Sequence, residues 1–345
     1  MKNKKVTIRE VARHAGVSVT TVSMVLSNNG KISENTTNKV NQSIKELGYI
    51  RNRSAANLRS KTNDVIGLIV NDIGDSYYSQ IISGVIREIE TNGCMIYLAE
   101  CGHRREDFEK HIKAMSRQGV GGIVVCSSDH SVHSHEHLLV QNEIPTVYVS
   151  THSIESNIDS VYPDNRYGAK IAAEYLIKQG HKSMAYLGGK SGSQSRAERV
   201  HGLGTTLKKH GLSMKPDWIM PRSTDSISLN VQRLLSSYPQ LTALICDDAA
   251  TTMSAIYGAY SAGRQIGNEQ YIEKQISVVG FNCFEKSDVP ISTVNVNAKE
   301  MGSLAAQYLI EKINSASHEP FTLLMQPMFS EANPKNKIVL DSKDC

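Results

Sequence analysis

Residues 18 to 27 read SVTTVSMVLS, a run of hydroxyls, methyls and one thioether without a charge. Groups of this kind suit the reading of base edges: Val19 and the Thr20 methyl match thymine methyls, and the Thr20 hydroxyl matches polar base edges. They cannot by themselves hold a polyanion. That task falls to the cations around them, Lys2, Lys4, Lys5, Arg9, Arg13 and Lys39, then Arg51, Arg53 and Arg59, through counterion release at phosphates. Residues 1–62 carry 12 Lys+Arg against 3 Asp+Glu, a net of +9. The remaining chain carries 26 against 31, a net of −5. A basic head on an acidic body points to a polyanionic partner for the head alone. The uncharged run contains no arginine, so no guanine is expected to be read by a bidentate arginine from it.

Other chemistries do not close. GGKSG resembles a phosphate loop, but the glycine required five positions before Gly189 is Met184. His130, His133, His135 and His137 cluster, and His133 and His137 would share a helix face, yet no cysteine or carboxylate set with ligand spacing completes a metal site; a solvated helix start is the reading kept. No G-x-S-x-G elbow or Ser/His/Asp order is present. The six cysteines lack C-x-x-C spacing, as expected of thiols in a reducing cytoplasm. Trp218, the single tryptophan, reads as a core residue. No apolar window of about 18 residues suggests a membrane span, and the basic start MKNKKVTIRE is not followed by the apolar stretch of an export signal. No catalytic residue, metal or cofactor is expected, and the cytoplasm is the expected location.

The elements that must position the uncharged run are short. Thr7 and Glu10 stand in capping-box relation, opening a helix whose apolar face is Ile8, Val11 and Ala12. Gly16 suits a tight turn. Ser18 then caps a second helix in which Val22, Val25 and Leu26 face inward, leaving Val19, Thr20, Ser23 and Met24 outward. Ser33 caps a third helix to about Leu47, with Val40, Ile44 and Leu47 as its stripe. These lengths predict a helix-turn-helix inside a three-helix unit. The segment YIRNRSAANLRSKTN that follows is a poor isolated helix and would fold only against DNA and a second copy.

The order VTIREVARHAGVS–TTVS, KIS and ELGYIRNRSAANLR resembles the head and hinge of the lac-repressor-like (LacI/GalR) transcription regulators. The resemblance implies that Val19, Thr20 and Met24 occupy base-facing positions, with Ser18, Thr21 and Ser23 beside them on the recognition helix. Thr7, Lys31 and Ser33 would meet the backbone or groove edge. In a hinge helix at about 51–60, it implies Asn52, Arg53, Ala55 and Arg59 as DNA contacts and Leu58 as the wedge entering the minor groove. Two departures stand out: Met24 replaces a basic or polar residue, and Arg51 replaces the proline most relatives have before the hinge helix.

From Val65 onward, apolar runs VIGLIV, CMIYLA, GIVVC, TVYVS, MAYLGG, ALIC and ISVVGF alternate with helical stretches, the pattern of parallel sheets with crossover helices. The expected architecture is an all-α helix-turn-helix DNA-binding head (1–62) plus an α/β core (63–345). By resemblance, this core is periplasmic-binding-protein-like and built of two doubly wound subdomains. They are expected at 63–163 with 293–322 and at 164–292 with 323–340. Ligands of open α/β sheets sit at the C-terminal ends of strands. Tyr77 and Tyr78, after the first strand, suit stacking on a sugar or ring, and Ser193 suits an oxygen or anion. Resemblance places Asp164, Arg199, Asp247 and Asn282 where relatives bind an effector, although Asp164 and Arg199 would serve equally as a structural ion pair. Relatives usually have Asn at the position of Asp247 and Asp at that of Asn282, so the donor and acceptor pattern differs. The implied function is a repressor that binds a near-palindromic double-stranded operator as a homodimer, under a small-molecule effector, a sugar or sugar derivative. A dimer is expected because FSEANPKNKIVLDSKDC lacks heptad periodicity. The rivals are a solute-binding protein of the same fold and an enzyme built on it.

Overall fold

The computed structural model describes residues 6–27, 30–49, 64–102, 104–127, 136–152, 158–222, 226–267, 274–283, 290–315 and 319–332. The chain divides into two compact units, Met1–Asn63 and Asp64–Cys345. In the first, the caps set the helices. The Glu10 carboxylate accepts from the Thr7 backbone N–H at 2.7 Å and from its hydroxyl at 2.9 Å, opening α1 (Ile8–Ala15). Gly16, in the left-handed region at φ 66°, ends it. The Ser18 hydroxyl accepts from the Thr21 N–H at 3.0 Å at the start of α2 (Val19–Ser27), and Ser33 caps α3 (Glu34–Leu47). Val11, Ala12, Val22 and Val40 form a small buried core flanked by Val25, Leu26, Ile44 and Leu47. Residues 50–63 lie outside the described residues, and with them the hinge positions Asn52, Arg53, Ala55, Leu58 and Arg59.

The second unit holds two sheets. β1 (Val65–Val70), β2 (Met95–Glu100), β3 (Gly122–Cys126), β4 (Thr146–Val149), β5 (Asp159–Pro163) and β12 (Thr322–Met325) form one in the order β12-β5-β4-β3-β1-β2, all parallel. Its inner strands β1, β3 and β4 are buried on both faces because alternate residues feed different layers, whereas the edge strands β2 and β12 are partly exposed. Ile66, Leu68 and Val70 of β1 meet α4 (Ser76–Thr91) and α11 (Ala298–Asn314). Ile69 meets α5 (Arg105–Gln118), and Tyr148 of β4 meets the same layer, which includes α6 (Glu136–Gln141).

The other sheet runs β13 (Met328–Ser330), β11 (Ser292–Asn295), β10 (Gln275–Phe281), β8 (Ala243–Cys246), β6 (Met184–Leu187), β7 (Ile219–Met220), with β9 (Gln265–Ile266) beside β10 and only β13 antiparallel. One face packs on α7 (Asn165–Lys178) and α8 (Gln194–Lys209); the other packs on α9 (Ile227–Ser237) and α10 (Ala249–Ser261). Trp218 is buried there, edge-on to Tyr238.

The chain crosses between the lobes after β5, after β11 and after β12. This corrects the expected partition at two strands. β12 at 322–325 pairs with β5 and belongs wholly to the first lobe, whereas β11 at 292–295 pairs with β10 in the second. Both are short edge or near-edge strands, and their local sequence does not state which sheet they join. Among the described residues no helix is long and apolar enough to cross a membrane.

Candidate functional site

In the head, α2 displays one outward stripe. Val19 and Met24 are 42% and 41% exposed, and Thr20 and Ser23 are exposed beside them. Residues four apart on a helix share a face, so 19 with 23 and 20 with 24 make one surface. Thr21 is turned toward its cap, its hydroxyl 2.8 Å from that of Ser18. Thr7, Lys31 and Ser33 are exposed, as are Arg9, Arg13 and Lys39. The head therefore carries an exposed uncharged stripe on α2 and, separately, exposed cations.

The second candidate is a cavity of about 650 Å³ in the other unit, lined by both lobes at the C-terminal ends of their strands. From the first lobe come Asp72 and Asp75 after β1, Tyr77 and Tyr78 in the first turn of α4, Ser150 after β4 and Pro163 ending β5. From the second come Gly189, Lys190 and Ser193 after β6, Arg222 after β7, Asp247 and Asp248 after β8, and Asn282 after β10. Arg199, Ala250 and Met253 line it from α8 and α10. Of the positions expected from sequence, Tyr77, Tyr78, Ser193, Arg199, Asp247 and Asn282 thus meet around one space. Asp164 is not among the lining residues; it caps α7, accepting from the Tyr167 N–H at 2.8 Å.

The expected alternative of an Asp164–Arg199 ion pair is corrected. Arg199 pairs instead with Asp247, its Nη1 donating to the carboxylate at 3.0 Å and to the Asp247 carbonyl at 2.7 Å. Its Nε donates to Asn165 at 2.9 Å, and the guanidinium lies 4.3 Å from the Phe281 ring centre. Burial, the largest single influence, pushes the Arg199 pKa down, but Asp247 together with Tyr186 and Tyr77 outweighs it, and the guanidinium is held charged. The Tyr186 hydroxyl donates to the same carboxylate. An acid at this position thus neutralises a cation that is only 4% exposed.

The opposite wall is acidic. Burial, then the carboxylates of Asp248 and Asp72, push Asp75 above the usual carboxylate range, against the N–H of Tyr77 that it caps at 2.8 Å. The Tyr77 hydroxyl meets Ser150 at 3.1 Å, and burial raises its pKa. Ser150 (φ 73°) and Asn282 (φ 51°) are two of three non-glycine residues at positive φ among those described, and both line the cavity. Sequence reasoning missed Asp72, Asp75, Lys190, Arg222 and Asp248. For Asp75 and Asp248 the available signal was an aspartate between an apolar run and an amphipathic run, which marks a helix N-cap at a strand's C-terminal end. Of the histidine cluster, His137 alone is described, and no group of three metal-ligating side chains occurs among the described residues.

Comparison with known proteins decides the family. Residues 63–333 match the model for periplasmic binding proteins and the sugar-binding domain of the LacI family, and residues 7–52 match bacterial regulatory proteins of the lacI family. The chain belongs to the LacI family. This LacI-family regulator is 36% identical over 318 residues to the maltose regulon regulatory protein MalI of Escherichia coli K12, covering 90% of this chain and 93% of that one. It is 58% identical over 127 residues to a MalI of Vibrio furnissii, covering 37% of this chain and 93% of that one. The lac repressor dimer bound to operator and the anti-inducer ONPF matches with a TM-score of 0.82 at 21% identity, covering 96% of this chain and 99% of that one. A CelR–cellobiose complex matches with 0.70 at 24%, covering 96% and 100%. At these identities the structural likeness is one of fold.

Proposed function

We propose that this LacI-family regulator represses carbohydrate-related, maltose-regulon-like genes, and that an effector in the two-lobed cavity sets its operator affinity. The carrying observation is the cavity itself, formed by loops of both lobes at their strand ends, so that a ligand there contacts two bodies that the described strands join by three crossings. A ligand that fits one lobe angle better than another shifts the population toward it, and only to the extent of that difference. The lobe angle then sets the spacing of the paired hinge segments, residues 51–60, and with it the insertion of Leu58. The head reads a near-palindromic operator as a homodimer, Val19, Thr20 and Met24 supplying discrimination and the surrounding cations affinity. Its place of work is the cytoplasm, where the DNA is. The names of the MalI relatives support the carbohydrate reading.

A gel shift of the full-length protein on its own upstream DNA tests this, at about 50 and 200 mM salt. A specific complex weakening by roughly a thousandfold between them is expected for six or more phosphate contacts. Equal affinity for random duplex overturns the proposal, and a solute-binding protein of the same fold predicts that outcome or no complex. Thr20→Ala and Met24→Ala are expected to alter operator choice, each by about tenfold at the affected base pair, in a selection from random sequences.

A further inference from the structure

We infer that the cleft takes an uncharged, hydroxyl-rich ligand and rejects its phosphorylated form, because both arginines of its lining and three of the four helix N-termini around it are already engaged by aspartates of the chain. The inference rests on the reading of the cavity as the effector site. An anion in such a cleft is held by helix N-termini and by arginine or lysine. Four helices begin in or beside this one, and three are capped by a carboxylate. Asp75 accepts from the Tyr77 N–H at 2.8 Å, Asp164 from that of Tyr167 at 2.8 Å, and Asp248 from that of Thr251 at 2.7 Å. The fourth, α8, has the uncharged cap Ser193, and an anion that did bind would go there.

Both arginines of the lining are neutralised in the same way. Arg199 pairs with Asp247 at 3.0 Å, and Arg222 pairs with Asp248 at 2.8 Å. Lys190 is exposed, where water and salt screen it. Counting Asp72, Asp75, Asp247 and Asp248 against Lys190, Arg199 and Arg222 leaves the lining at −1, and the first lobe contributes only acids. Burial first, and then Asp248 of the other lobe and Asp72, push Asp75 above the usual carboxylate range. A phosphate ester would add a charge of up to −2 to that field. Hydroxyls, by contrast, donate to these same carboxylates, and the Tyr77 and Tyr78 rings, 5.5 Å apart, offer an apolar face.

The test uses full-length protein and a panel of glucose, maltose, trehalose and cellobiose beside their 6-phosphates, read by thermal shift and calorimetry. At least one uncharged sugar is expected to bind, with its phosphate ester at least tenfold weaker. A phosphate ester that binds as tightly as its parent sugar overturns the inference, and so does a panel in which no uncharged sugar binds. Inorganic phosphate at about 10 mM, against sodium chloride of equal ionic strength, is expected to leave the wild-type melting temperature unchanged. The double variant Asp75→Asn/Asp248→Asn keeps both caps, since Asn caps as well as Asp, and is expected to gain stabilisation by phosphate. Stabilisation of the wild type, or none in the variant, sinks the idea. A specific operator complex that survives either result leaves the regulator reading standing.

Discussion

His181 is enclosed at 2% exposure, with its Nδ1 at 2.9 Å from the Thr242 hydroxyl and its Nε2 at 2.9 Å from that of Ser277. Neither partner carries a charge, so burial lowers its pKa to about 4 from 6.5. As pH falls below 6.5, the unfolded chain takes up this proton while the folded one does not. The stability present above pH 6.5 is therefore lost down to about pH 4, on the order of 3 kcal/mol. Urea unfolding at pH 7.5, 5.5 and 4.5 should show that slope, and a His181→Asn variant should lose this part of it. At the cleft, Asp247→Ala leaves Arg199 buried without its counter-charge and should cost about 3 to 5 kcal/mol. Asp247→Asn, which keeps an acceptor, should cost less. Equal urea midpoints for the alanine variant and the wild type would show that the pair does not hold the wall.

Among elements, the contact of α4 with α11 turns on two glycines. A Cβ on Gly84 would stand 2.0 Å from the Lys299 carbonyl oxygen, and one on Gly302 would stand 2.1 Å from that of Ile81. Helix propensity alone would favour alanine by about 1 kcal/mol, but a collision with backbone cannot be relieved by a rotamer. Gly302→Ala is therefore expected to destabilise by at least about 2 kcal/mol. Gly204 of α8 is the contrast, with nothing within 4 Å of its Cβ position. Gly204→Ala should raise stability by roughly 0.5 to 1 kcal/mol, and thermal melts of the two variants should move in opposite directions. These glycines also mark where reading by pattern stops. The apolar runs of β1, β3, β8 and β10 announce themselves, but a glycine inside a helix reads only as a weak point until the neighbouring helix is known. The strands of two to four residues at β7, β9, β11 and β13 are too short to carry a period.

At the scale of the whole molecule, a homodimer is expected to place two copies of α2 on a two-fold operator. Light scattering of the purified chain should give twice the mass of one chain, and a stable monomer would refute that placement.

By itself the sequence determined what is local. Caps at Thr7, Ser18 and Ser33, the turn at Gly16, the outward stripe of α2 and the alternation of apolar runs each depend on residues within a few positions of one another. The charge split between head and body is likewise legible without a fold, being a count along the chain. Tertiary structure alone decided the pairs that closure brings together, such as Arg199 with Asp247, 48 residues apart, and Asp75 of one lobe facing Asp248 of the other. It also decided that β12 joins the first sheet and β13 the second. Short-range patterns fix which face of an element is apolar; which distant face it meets is set only when the whole core closes at near-crystalline density.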